Sequence, residues 1–129
     1  MPTFNPTWPA LGVSVRAAAS IANGANLSDA LDLEDLGPYY TLDLFVLFDI
    51  ASGSPSGDLL IEIFHSVDAG STVATVASVT RRLNFTGVAA KSLVIQGIRG
   101  PHITAKYTNG TGVTGAVTVK YAASKQVSA

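Results

Sequence analysis

His65 and His102 are the only imidazoles in the chain, and cysteine is absent. Thiolate nucleophiles, disulfides and cysteine-ligated metal sites are therefore excluded. A histidine metal site needs ligands at suitable spacing, and neither His-x-His nor His-x3-His occurs. His65 closes the apolar alternation Leu59, Ile61, Ile63, which reads as a satisfied residue at the edge of a core. His102 shares its parity with Thr104 and Lys106 and is expected to face solvent. Asp29, Asp32, Glu34 and Asp35 form an acidic stretch. Two carboxylates across a cleft can cleave a glycosidic bond, but this grouping on one short segment reads as a solvated strand edge that discourages unwanted pairing. Arg81 and Arg82 must point to opposite faces of an extended segment, so one is expected to be paired or interfacial. No Gly-x-Ser-x-Gly, P-loop or dinucleotide-binding fingerprint is expected. No catalytic residue, metal or cofactor is assigned, and the chain is expected not to be an enzyme.

The elements that would carry these residues are strands. From Tyr40 to Ile50 the even positions Tyr40, Leu42, Leu44, Val46, Phe48 and Ile50 are apolar, while the odd face holds Thr41, Asp43, Phe45, Leu47 and Asp49. A period of two places one set on the core and the other on a mixed face. The same pattern recurs over Leu59–Ser66 and Val113–Tyr121. Weaker alternation marks Leu11–Ala22, Leu27–Leu36, Val73–Leu83, Leu93–Ile98 and His102–Thr108, with a bulge expected where the Val73, Val76, Val79 series changes parity. Arg16–Ala22 is the one stretch that could be helical, and the extended reading is preferred. Asn23-Gly24, Gly37-Pro38, Ser52–Gly57, Gly100-Pro101 and Asn109-Gly110 punctuate these segments. About eight short strands imply one antiparallel β-sandwich, spanning residues 11–124, with a tail at 125–129.

Residues 1–10 hold Pro2, Pro6 and Pro9 with Phe4 and Trp8. Proline removes backbone donors and favours an extended chain, so this arm is expected to stay out of a sheet interior and to lie along a partner with its rings as anchors. Of the 129 residues 47% are hydrophobic but only 13% are charged, and the net charge is −1. That balance gives no field to attract nucleic acid or an anionic membrane. No secretory signal or apolar span of membrane length is seen, so the chain reads as soluble. Phe45 and Leu47 lie opposite the apolar row of their strand, which calls for a cover and hence a homo-oligomer. Tyr39 is the best surface aromatic for the rival reading, a carbohydrate-binding module. The triplets opening at Asn26, Asn84 and Asn109 read as turn chemistry.

Ser66–Val73 resembles the Asp-box hairpin of sialidases, propellers and phage sandwich proteins, with Val73 where that motif has tryptophan. The resemblance implies a structural turn role for Asp68 and Gly70. Ser20–Leu33 and Gly100–Gly110 are similar to the opening and closing hairpins of small structural proteins of tailed double-stranded DNA phages. Taken from residue 20 to about 122, this resemblance implies a jelly-roll-like virion protein of the capsid cement or decoration type, or else a tail or baseplate component. A trimer is expected in preference to a dimer if the protein sits at capsid symmetry axes, with the major capsid protein or another virion protein as partner. Its place would be the phage head surface, after a soluble stage in the host cytoplasm.

Overall fold

The computed structural model describes residues 2–7, 13–32, 40–66, 75–98 and 102–128. Nine strands follow in chain order: β1 (Pro2–Thr7), β2 (Val13–Ile21), β3 (Asn26–Asp32), β4 (Tyr40–Ile50), β5 (Gly57–Ser66), β6 (Val79–Phe85), β7 (Ala89–Ile98), β8 (His102–Gly110) and β9 (Gly115–Ser128). All pairings are antiparallel. In the first sheet β9 and β4 are central, β7 is one edge, and β1 and β2 share the other, each against a different part of β9. The second sheet runs β3-β8-β5-β6. From β2 to β9 every connection except β5–β6 crosses between the sheets, which is the jelly-roll arrangement of the β-sandwich.

The core is what the alternation dictates. Leu42, Leu44, Val46, Phe48 and Ile50 of β4 are buried, together with Leu59, Ile61 and Ile63 of β5 and Val117 and Val119 of β9. Phe48 meets Phe85 edge to face, with ring centroids 5.8 Å apart, and so joins β4 to β6 across the sandwich. A Cβ at Gly115 would collide with the Phe48 ring, so glycine is required where β9 begins.

Of the Val73, Val76, Val79 series where a bulge is expected, Val73 lies outside the described residues; bends at residues 75, 76 and 78 precede β6, which pairs with β5 in unbroken register from Val79 to Phe85. Register shifts occur in β2, on both sides of Arg16, and between β4 and β7. At the second site Gly97 takes φ +71 and its N–H donates to Asp43 Oδ1 at 3.0 Å. Residues 2–7, within the segment read as an arm, pair as β1 with the end of β9, with 125–128 of the segment read as a tail and with the two residues before it, Ala123 and Ser124. Pro2 and Pro6 are tolerated there because β1 lies on the sheet edge.

Candidate interaction surface

The outer face of the first sheet is built around the odd residues of β4. Phe45 sits between Lys120 of β9 and Val94 of β7, Leu47 between Thr118 and Ser92, and Asp49 between Ala116 and Ala90. Directly opposed side chains on one face stand about 5 Å apart, so Phe45, Leu47 and Val94 make one apolar group. Phe45 and Leu47 are half-buried, and Val94 is 43% exposed. The other large apolar side chains exposed among the described residues, Val76 and Val88, lie outside strands.

The second sheet also carries half-buried outward apolar residues, Leu60 and Phe64, among more charged neighbours. Leu60 of β5 lies between Thr108 and Arg82, Glu62 between Lys106 and Thr80, and Phe64 beside Thr104. Arg82 Nη1 donates to both Asp58 oxygens at 3.1 and 3.2 Å. This is the paired arginine of the Arg81-Arg82 doublet; Arg81 is exposed and donates to the Thr80 carbonyl. Long charged side chains can lay their stems over apolar neighbours, and this face has several.

At the lateral edge where β2 meets β3, Arg16 bridges the two sheets. Its Nε donates to Asp29 Oδ2 at 3.0 Å, and its Nη2 to Asp29 Oδ1 at 2.6 Å and to the Ser28 carbonyl at 3.2 Å. These bonds raise the Arg16 pKa above its ordinary value, against a smaller lowering by burial. The register shifts around Arg16 go with its parity, opposite the buried Val119, which aims it between the sheets. Asp29 is thus not the solvated edge residue expected from sequence, since its position opposite Ala105 turns it inward. Tyr107 lies behind the pair, fully buried, with its hydroxyl lacking a partner at hydrogen-bonding geometry. Burial first, and then the nearby Asp29 carboxylate, raise its pKa far above the usual phenol value. The carboxylate is close enough to act on the phenol without being well placed as its acceptor.

Asn109 forms a second polar centre. It is fully buried, and its Nδ2 donates to the carbonyls of Ile21 at 2.8 Å and Val113 at 2.7 Å. Its Oδ1 accepts from Thr111 N at 3.0 Å and Thr111 Oγ1 at 2.6 Å. The turn after β2 is tied to the same residue through Gly24 N to Asn109 O and Asn109 N to Ala25 O. A Cβ at Gly57 would strike the Gly110 carbonyl, so the chain is tightly apposed here too. Gly110, Gly112 and Gly115 match the Gly-x-Gly-x-x-Gly spacing, yet their loop joins two antiparallel strands and no helix follows. The helix N-terminus that would hold a phosphate in that motif is missing.

His65 is half-buried and shares a 2.6 Å hydrogen bond with Ser78 Oγ. His102 is 6% exposed, contrary to the expected solvent position. Parity names a face and not what crowds it; His102 begins a central strand, flanked by Asp32 and Ser66. Among the described residues no three His, Asp or Glu side chains are grouped to hold a metal. Phe4 lies in β1, in register with Gln126. Trp8, Tyr39, Asp68 and Gly70 lie outside the described residues.

No protein family and no curated protein sequence matches the chain. Solved structures do. A mitogen derived from Yersinia pseudotuberculosis superposes with a TM-score of 0.50 at 9% identity, over 97% of this chain and 86% of that one. The likeness is one of fold. A family 16 carbohydrate-binding module gives a TM-score of 0.40 at 13% identity, over 86% of this chain and 76% of its own. Arg16–Asp29, Asn109 and the Phe45 group are therefore read on their own chemistry.

Proposed function

We propose that this jelly-roll is a non-enzymatic assembly subunit that docks through the outer face of its first sheet. The observation that carries the reading is the Phe45–Leu47–Val94 group on a sheet whose opposite face already holds the core. Covering such a group removes apolar surface from water, the main favourable term in association. Few charges and a net charge of −1 suit a molecule whose surface meets protein neighbours. At finer grain, the resemblance of its hairpins to phage structural proteins supports a virion subunit of the capsid cement or decoration type, with itself and the major capsid protein as partners. A carbohydrate-binding reading would want an exposed aromatic platform, and the large apolar side chains exposed among the described residues are all valines.

Leu47→Glu tests the docking face, because Leu47 is half-buried on that face and not in the core. Pull-down from assembling particles, with a parallel urea melt, should show loss of at least tenfold in particle binding at a nearly unchanged urea midpoint. Full-strength binding by the variant contradicts the proposal, as does a reproducible oligosaccharide ligand on a glycan array whose binding is lost with the same substitution.

A further inference from the structure

The sandwich has several strand edges, and they are not equivalent. Unpaired edge backbone is a template for another chain, which proteins block with proline, charge, bulges or short strands. β1 carries Pro2 and Pro6, and β2 is broken by two register shifts. β3 is seven residues long with Asp29 and Asp32, and β6 is seven residues long with Arg81 and Arg82. β7 has ten residues and a single charge, Lys91, and its one register shift, with Gly97 at positive φ, falls at its C-terminal end, between Ile95 and Ile98. That lysine is turned toward β6, where its Nζ donates to the Asn84 carbonyl at 2.6 Å and stands 5.4 Å from the Phe85 ring centroid. Ser92–Gln96 carries neither charge nor proline, and among the described residues no strand pairs with its outer edge.

We infer that β7 is the site of self-association, pairing antiparallel with β7 of a second copy about a two-fold axis at Val94. The inference rests on the assembly reading above and names the partner and the contact. Three observations select a second copy as occupant. In this register Ser92 faces Gln96, Leu93 faces Ile95 and Val94 faces its own equivalent, so every inward residue meets an inward one and the sheet continues. Each Lys91 falls opposite Gly97, which keeps the two lysines about 20 Å apart along the ladder, beyond the screening length at physiological salt. Phe45 lies next to Val94 on the outer face, so pairing at the two-fold joins the apolar groups of both copies into one stripe, Phe45, Val94, Val94, Phe45. The product is a two-fold dimer, and a trimeric particle contact would have to use another surface.

Position 94 meets its own equivalent across the two-fold of this pairing, which makes charge complementation the test. Sedimentation equilibrium should show wild-type dimers, at least tenfold weaker association for Val94→Lys and for Val94→Glu alone, and recovery to within a few-fold of wild type in their equimolar mixture. Val94→Cys should oxidise rapidly to a linked dimer. Undiminished self-association of Val94→Lys overturns the inference, as does failure of the mixture to recover while circular dichroism shows both variants folded. A monomeric wild type whose particle binding is still abolished by Leu47→Glu removes the β7 contact and leaves the proposed function standing. Charge complementation alongside an inert Leu47→Glu does the reverse.

Discussion

The two lateral sides of the sandwich are finished in different ways. Where β2 meets β3, a bidentate ion pair between Arg16 and Asp29 crosses from one sheet to the other, and the buried Asn109 ties the following turn to the β8–β9 loop. Where β6 meets β7, Lys91 reaches the Asn84 carbonyl, and among the described residues no strand pairs with the outer backbone of β7. One side spends its polar side chains on internal closure. The other keeps a long, weakly charged strand available to another chain. A fold can therefore divide its edges between stability and association, and substitutions on the two sides should separate those properties.

The largest effect is expected at Asn109. Asn109→Ala leaves the Thr111 N–H and the Ile21 carbonyl without their side-chain partner in a buried site, while the Val113 carbonyl keeps the Thr111 hydroxyl as a donor. Each orphaned group costs about 1–3 kcal/mol, so a loss of about 3–5 kcal/mol is expected. Urea unfolding should register it directly, and a loss under about 1 kcal/mol would show that the turn is held by its backbone alone.

Next comes the ion pair. Asp29→Asn should cost about 1–3 kcal/mol, between exposed and fully buried pairs, and a double-mutant cycle with Arg16→Met should return a coupling of similar sign. Self-association should not change, because this side is closed. The pair gives no pH dependence through Arg16. Its folded pKa is raised above an ordinary value that already lies in strong alkali, so its contribution is complete throughout the acid, neutral and mildly alkaline range.

Tyr107 does supply a pH dependence. Its folded pKa is raised above the ordinary 10.0, so the stability linked to its proton is fully present below pH 10 and is lost as pH rises beyond it. Above pH 10 the urea midpoint should fall, by up to about 1.4 kcal/mol per pH unit in free energy. Tyr107→Phe should flatten that slope while staying within about 1 kcal/mol of wild type at pH 7, since the hydroxyl it removes has no well-placed partner. An unchanged alkaline slope would place the titrating group elsewhere. The smallest effect belongs to the open side, where Lys91→Ala should shift stability by less than about 0.5 kcal/mol. A larger loss would mean that the β6–β7 side is as tightly closed as its opposite.

What the sequence made legible follows from the range of the interactions. β4 was readable over Tyr40–Ile50 because alternation is a local property of one strand. Phe45 and Leu47 could be placed on the outer face for the same reason, but not their neighbour Val94, whose segment starts with Ala89-Ala90-Lys91-Ser92, weak strand formers. Arg16 and Asp29 are thirteen residues apart and meet only because irregular β2 turns its arginine between the sheets. Asn109 announces a turn through Asn-Gly, yet its burial depends on the Ile21 carbonyl, eighty-eight residues away. His102 erred in the opposite direction, since parity could not report the strands beside it.

Amide hydrogen exchange as a function of protein concentration tests the division of edges most directly. The outward-pointing amides between Ser92 and Gln96 should gain protection as concentration rises through the micromolar range, while those of β3 exchange at a constant rate. Exchange in β7 that stays independent of concentration, or protection that appears in β3 instead, would contradict the account.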